Sequence, residues 1–149
     1  MLPFKKILCP IDFSDPSYMA LKAAEELALQ YSAELFVVHV VEKIPVLPAL
    51  PTNPTIDIPF YQEKLEEAAR EALNVTLKER ISKKINVTPI IAHGYPAERI
   101  LEITEKEKPD LIVIATHGET GFRHFIFGSV AEKVIRLSKY PVLTIRIHE

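Results

Sequence analysis

The strongest constraint on the fold is a regular alternation of short apolar runs with longer amphipathic segments. Apolar runs of strand length occupy residues 6–11, 35–41, 87–92, 110–115 and 142–147. The segments between them repeat their apolar residues with the period of a helix. Strand and helix therefore alternate along the chain, which predicts an α/β fold with a parallel sheet covered by helices on both faces.

Helix-start signals lie at three points. Ser14 stands just ahead of Pro16, Pro96 follows the third apolar run, and Ser129 follows the fourth. Capping residues and prolines in these places predict the beginnings of the first, third and last helices. In the first two helices, the helical period predicts these inward-facing residues: Ala20, Leu21, Ala24, Leu27 and Ala28, then Leu65, Ala69, Ala72, Leu73, Leu77 and Ile81.

The composition of the strands predicts their order. Pro89 cannot donate to a ladder, so the third strand belongs at an edge. The fifth strand alternates residues such as Thr144 and Arg146 with apolar ones, which is typical of the other edge. With right-handed crossovers, we expect an open five-stranded parallel sheet of order 3-2-1-4-5, a Rossmann-like arrangement. Ligands bind beyond the strand ends where such an order reverses, near Asp12 and the loop 115–129.

Length and charge narrow the function. The chain has 149 residues, enough for a single domain over 1–149. A net charge of -2 offers no electrostatic basis for binding nucleic acid or an anionic membrane. No targeting segment or membrane span is evident, so we expect a cytoplasmic protein. The proline-rich segment 44–59 is either a stiff linker or a lid over the crevice.

Glycine is scarce in this chain and clustered. Of its four glycines, Gly118, Gly121 and Gly128 fall close together. They would let backbone N–H groups meet an anion such as phosphate at the amino end of the last helix. A capping box formed by Ser129 and Glu132 would satisfy the same N–H groups without a ligand, and both interpretations stay open. The chain has neither a P-loop nor a dinucleotide fingerprint.

Few other side chains suggest chemistry. Asp12 would repel a triphosphate, so it suits the base or sugar end of a ligand, or a metal; alternatively it is a turn residue that starts the first helix. His39 and Cys9 lie on strands and are interpreted as core residues. No spacing of histidines and cysteines indicates a metal site. Three loop side chains face either phosphates or solvent: His117, Arg123 and His124.

Five segments together resemble a known family. They are residues 5–14, 39–40, 109–118, 128–134 and 141–146. The chain resembles the universal stress proteins over essentially its whole length. This resemblance implies the fold shared with adenine nucleotide alpha hydrolases.

The nucleotide-binding branch of that family carries the pattern Gly-x2-Gly-x9-Gly-Ser/Thr. Ala115, Gly118, Gly128 and Ser129 occupy these positions here, so an alanine stands at the first. Its methyl group is tolerated in extended backbone and costly at positive φ. If that methyl blocks the ribose, a signalling or interaction dimer of the same fold, which binds no nucleotide, becomes the better hypothesis.

The resemblance implies roles for eight of the expected site residues. Asp12 and the backbone of Val40 would recognise the adenine end, and Pro10 and Ala115 would flank the ribose. The phosphates would be held by Gly118, Gly128, Ser129 and Val130. The complete expected site comprises Pro10, Asp12, Val40, Ala115, Thr116, His117, Gly118, Glu119, Thr120, Gly121, Gly128, Ser129 and Val130.

The resulting hypothesis is a stress protein that binds ATP, with or without Mg²⁺, and acts as a regulatory or chaperone-like homodimer. The resemblance implies pairing through the last strand, whose alternation suits edge pairing. Further protein partners are expected but not identifiable. With no assigned base and no P-loop lysine, any ATP hydrolysis would be slow. A nucleotide-cleaving enzyme would need a base and metal ligands that the sequence does not display.

Overall fold

A computed structural model describes residues 2–44, 58–117 and 127–147 of the chain. The strands are β1 (Lys6–Pro10), β2 (Glu34–Glu42), β3 (Val87–Gly94), β4 (Leu111–Ala115) and β5 (Val142–Ile145). The helices are α1 (Asp15–Tyr31), α2 (Ile58–Arg80), α3 (Pro96–Glu107) and α4 (Ser129–Leu137). The alternation expected from the sequence is confirmed, with strand ends shifted by one or two residues.

The sheet has the order β3-β2-β1-β4-β5, and its pairs are all parallel, as expected. Pro89 lies in β3, which is an edge strand, so its missing N–H costs no bond to a further strand. The order reverses at β1, which pairs with β2 on one side and β4 on the other. This junction is the switch point at which the sequence placed a ligand site.

Two hydrophobic clusters fill the two faces of the sheet. The first joins the inner residues of α1 and α2 to one face, with Leu21 and Leu73 among its fully buried members. The second joins α3 and α4 to the other face through Ile100, Ile103 and Val134. Successive residues of a strand enter opposite clusters, so the sheet is buried on both sides.

The first helix begins as its sequence predicted. The Oγ of Ser14 accepts a hydrogen bond from the backbone N–H of Ser17 at 3.3 Å, and Pro16 lies in the first turn. Ala20, Leu21, Ala24 and Ala28 are buried in the core, and Leu27 is half-buried. The helix ends at Ser32, which adopts a left-handed conformation with φ 54.

The expected inward face of α2 is only partly right. Leu73, Leu77 and Ile81 are buried, whereas Leu65 and Ala72 are exposed and were wrongly assigned to the core. Ala69 is half-buried. The helical period places these residues on one wide apolar face of α2. Only a narrower part of that face contacts the sheet. Part of its apolar surface therefore lies outside the core.

The turn into α3 is formed by Gly94 and Tyr95. Tyr95 is the N-cap residue of the helix, and Gly94 is the last residue of β3. Gly94 has φ 134, a conformation that other residues rarely adopt. A Cβ there would also approach the side chain of Arg99 at 3.1 Å. The glycine therefore serves the strand-to-helix turn. None of the helices in the described residues is long and apolar enough to cross a membrane.

Asp110 fastens the start of β1 to the start of β4. Its Oδ2 accepts hydrogen bonds from the backbone N–H groups of Lys5 at 2.7 Å and Lys6 at 2.9 Å. The hydrogen bond from Lys5 is the main cause that holds the pKa of the Asp110 carboxyl below its ordinary value. Desolvation opposes this effect, whereas the Lys6 bond and the positive charges of Lys5 and the N-terminus add to it. The charged form is therefore the one that stabilises this junction.

This pKa shift predicts a pH-dependent effect of Asp110→Asn. The variant should lose about 1 kcal/mol of unfolding free energy at pH 7, because its neutral amide accepts the two bonds less strongly. A lowered folded-state pKa gives stability that is present above the unfolded value of about 4 and is lost as pH falls through the folded value. The difference between wild type and variant should therefore shrink below about pH 4, measured by urea denaturation.

Glu79→Gln on the exposed side of α2 is the matched control, since it removes one negative charge without touching this junction. A wild-type advantage over Asp110→Asn that stayed constant down to pH 2 would contradict the assigned role.

Candidate functional site

The carboxyl ends of three neighbouring strands meet at the switch point. The register that pairs Pro10 with Val38 brings Asp12 level with Val40 on β2. The β1–β4 register, which pairs Leu8 with Ile112, places Asp12 level with Thr116 when it is continued past the paired residues to the end of β4. Residues that are far apart in sequence therefore form one row across the edge of the sheet.

Most of this row lies on one face. Val40 belongs to the hydrophobic cluster under α3 and α4, together with Leu8 and Ile114. By the two-residue alternation of a strand, Pro10 and Asp12 follow Leu8 onto that face, and Thr116 follows Ile114. The amino end of α4 packs on the same side through Ala131. Asp12 and Val40, expected at the adenine, and Pro10, expected at the ribose, thus share one side of the sheet with Thr116 and the start of α4.

Ala115 lies on the opposite face. It ends β4, pairs with Ile145, and is buried in the cluster under α1 and α2 with Ile11 and Val113. Its backbone is strand and is not among the positive-φ residues of the described chain. The conformational cost that a methyl group would carry at positive φ therefore does not arise, and the methyl contributes to the core.

Asp12 is held by the first turn of α1. Its Oδ1 accepts a hydrogen bond from the backbone N–H of Ser14 at 3.0 Å and a short one from the Ser14 hydroxyl. The structural role considered for Asp12 is therefore present, and it orients the half-buried carboxylate at the strand end. The part that Ser14 plays here was not predicted, although an aspartate two residues before a serine is a recognisable turn pattern.

The loop after β4 returns to its own starting point. The backbone N–H of Gly128 donates to the carbonyl of Thr116 at 2.6 Å, and the N–H of Thr116 donates to the carbonyl of Ile145 at 3.0 Å. The buried Thr116 hydroxyl also lies 2.9 Å from His117 Nδ1. These contacts hold the beginning of α4 against the ends of β4 and β5.

The start of α4 corrects one expectation. Gly128 is the N-cap residue, with φ -68 and ψ 160, and Ser129 is the first residue of the helix. The capping box of Ser129 and Glu132 is therefore wrong, because Ser129 stands one position too far along the chain. Within the described residues, no side chain supplies a cap hydrogen bond to this helix, while Glu132 contacts Arg136 at 2.9 Å.

That start has the properties of an anion site. The first N–H groups of a helix point outward along its axis, and the helix dipole adds partial positive charge there. Ser129 and Val130 contribute the first of these groups. Gly128 presents no side chain in front of them, and its extended φ shows that the position does not need glycine for conformational reasons.

Part of the expected site lies outside the described residues. This applies to Gly118, Glu119, Thr120 and Gly121, to Arg123 and His124, and to most of the proline-rich segment 44–59. Their expected roles stay predictions.

Two residues near the site have structural roles. His39 Nδ1 bonds the carbonyl of Ile11 at 2.9 Å, and its ring lies 4.4 Å from that of Phe13, centroid to centroid. Phe13 adopts φ 64 at this turn. Burial raises the pKa of the Cys9 thiol, so it remains a neutral core residue. Both assignments agree with the sequence analysis, whereas the part played by Phe13 was missed.

Comparison with known proteins agrees with this geometry. The family model described as "Universal stress protein family" matches residues 3–146. This chain belongs to the universal stress protein family. Universal stress protein MJ0531 of Methanocaldococcus jannaschii is 36% identical over 143 residues, which cover 96% of this chain and 82% of that protein.

Solved structures extend the comparison. Universal stress protein MJ0577 of the same organism is 32% identical over 155 residues, covering 96% of this chain and 95% of that protein. The MJ0577 structure superposes with a TM-score of 0.77 at 28% identity, over 97% of both chains. UspA from Lactobacillus plantarum shares the fold with a TM-score of 0.81 at 23% identity, over 95% of this chain and 97% of its own.

Two more distant structures with this fold contain nucleotides. One universal stress protein was solved in complex with cAMP, at 23% identity and a TM-score of 0.61, over 96% of this chain and 97% of its own. Another, from Archaeoglobus fulgidus, was solved in complex with dAMP, at 24% identity and a TM-score of 0.56, over 97% of this chain and 99% of its own.

The buried position of Ala115 predicts a loss of stability in Ala115→Gly. Removing the methyl group exposes no new ligand surface but loosens the strand and the core, at a cost of about 1 kcal/mol. Urea denaturation would measure this change. A variant as stable as wild type would show that the methyl is not packed in the core.

Proposed function

We propose that this universal stress protein binds ATP at the β1/β4 switch point and works as a nucleotide-dependent regulatory homodimer. The observation that carries the binding proposal is the adjacency of the strand ends that lead to Asp12, Val40 and Thr116, on the face where α4 begins, with the Gly128 N–H bonded to Thr116 at 2.6 Å. Asp12 makes the middle of this row acidic, whereas the start of α4, beside Thr116, presents helix N–H groups. An adenine nucleotide has complementary ends.

Charge determines the orientation of the nucleotide in this proposal. The carboxylate of Asp12 would accept hydrogen bonds from ribose or base, since it would repel phosphate. The backbone of Val40 would contact the adenine, because its side chain is buried. The phosphates would lie at Gly128, Ser129 and Val130, where N–H groups and the helix dipole favour negative charge.

The relatives support an adenine nucleotide as the ligand class. The cAMP and dAMP complexes both hold an adenine base and at least one phosphate in this fold. ATP rather than a monophosphate is the finer proposal, and it rests on the retained Gly128 and Ser129 of the family pattern. Mg²⁺ would bind with the phosphates. Slow hydrolysis at most is expected, because no general base has been assigned.

Calorimetric titration with ATP, ADP and AMP, with and without Mg²⁺, tests the proposal on protein freed of carried-over nucleotide. Gly128→Val should weaken ATP binding at least about tenfold, because an isopropyl group would stand in front of the helix N–H groups. The extended φ of Gly128 accepts valine, so the variant should fold. Gln30→Val on the exposed end of α1 is the control for adding valine.

Absence of binding up to millimolar ATP would defeat the proposal and favour the dimer that binds no nucleotide. Unchanged affinity in Gly128→Val would show that the phosphates bind elsewhere.

The homodimer is proposed to pair through β5, the free edge of the sheet next to β4. Pro141 and Ile145 direct their carbonyls at β4, where these accept from Ile112 and Thr116. Backbone groups alternate in direction along a strand, so those of Val142 and Thr144 point away from β4. Thr144 therefore offers an N–H to a second strand, and exposed Leu143 adds apolar surface.

Thr144→Pro should convert the dimer to monomer, since it removes the outward N–H while leaving the bonds to β4 intact. Sedimentation velocity would measure the change, with circular dichroism to verify the fold. Thr144→Val, which keeps the N–H, should still dimerise. A Thr144→Pro variant that remained dimeric would place the interface elsewhere.

A further inference from the structure

One flank of α2 carries an apolar stripe that lies outside the core. It consists of Tyr61, Leu65, Ala68, Ala72 and Val75, which follow one another at intervals of four, three, four and three residues. Every member is exposed, and the three large side chains are 54%, 46% and 47% exposed, in chain order. This spacing is the seam of a coiled coil, where a second helix packs.

The other surfaces of α2 differ from this stripe. The face against β2 and β3 is buried through Leu73, Thr76 and Leu77. The opposite flank is polar, with Glu63, Glu67, Arg70 and Asn74. A surface helix that only covered a sheet would be polar on both flanks. The asymmetry indicates that one flank of α2 has a further packing partner.

We propose that this stripe packs antiparallel against α2 of a second copy of the chain. The charges beside the stripe favour this occupant. Lys64, Glu71 and Lys78 border it at intervals of seven, on the side away from the core. In an antiparallel helix pair these bordering positions face one another, so their alternating sign can complement itself across a two-fold axis.

Charge and size select the same register. When Lys64 faces the partner's Glu71, Leu65 lies opposite the partner's Ala68, and Tyr61 lies opposite the partner's Ala72. Large side chains then meet small ones in these central layers, which lets the helices approach closely. The two-fold axis repeats every contact, giving two Lys–Glu pairs.

The neighbouring registers fit less well. If the partner helix is shifted by seven residues, Glu71 lies against the partner's Glu71 and Lys64 lies against the partner's Lys78. Both contacts are between like charges. A further shift of seven brings Ala68 against the partner's Glu79 and buries a carboxylate. Of these three registers, the first alone pairs opposite charges without burying a carboxylate.

This surface is separate from the β5 edge. α2 packs on β2 and β3, at the opposite side of the sheet from β5. Both interfaces can therefore form in one assembly, which would then grow beyond a dimer. The α2 contact does not depend on nucleotide or on β5 pairing, so the two proposals can fail independently.

Single-cysteine cross-linking of the full-length chain tests the interface. Ala68→Cys places a thiol near the proposed two-fold axis, while Cys9 is buried and protected. On mild oxidation, this variant should form a disulfide-linked dimer at least about tenfold faster than Asn74→Cys on the polar flank. The same difference should persist in the Thr144→Pro background. Equal rates for the two variants, or no cross-link, would overturn the proposal.

A charge swap tests the register. In the Ala68→Cys background, Lys64→Glu should slow cross-linking about tenfold, because both pairs become repulsive. Adding Glu71→Lys should restore the original rate. Circular dichroism verifies that each variant folds, since Lys64 also pairs with Glu67 at 3.0 Å on its own helix. Failure of the charge-swapped variant to recover would overturn the register. If adding Leu65→Lys left the cross-linking rate of Ala68→Cys unchanged, the stripe itself would be overturned.

Discussion

The parallel pairing of β1 with a strand on each side is the constraint on which the rest of the molecule depends. Ile7, Leu8 and Cys9 are fully buried, one face under α1 and α2 and the other under α3 and α4. A strand with neighbours on both edges and cores on both faces has no freedom to shift register. The end of β1 is therefore fixed in position. The crossover connections on its two sides lead away from it in opposite directions.

The candidate site follows from that register. Asp12, Val40 and Thr116 become level only because β1 pairs with both β2 and β4. In the described part of the site, the strand ends and the first turn of α4 present mainly backbone groups, secured by the bond from Gly128 to Thr116. Fixed N–H groups of this kind are suited to holding the phosphates of the proposed nucleotide.

The two proposed contact surfaces arise from the same architecture. An open sheet leaves two edge strands, and β5 has apolar residues such as Leu143 exposed beside its free edge. At the other edge of the sheet, α2 covers β2 and β3. The apolar face of α2 is wider than the surface that contacts these strands, so Leu65 and Val75 remain exposed. Self-association through separate surfaces would make assembly, as well as ligand binding, a property that the protein can regulate.

The sequence by itself determined the order of strands and helices, because hydrophobic period and the placement of Pro89, Pro96 and Ser14 are local signals. It also carried the family and the row of site residues at the strand ends. Only tertiary structure decided which side of the sheet each residue faces. The methyl group of Ala115 lies in the core, Ser129 is one position past the N-cap of α4, and Leu65 lies outside the core. Periodicity gives the direction of a side chain relative to its own strand or helix, whereas burial depends on what packs against that element.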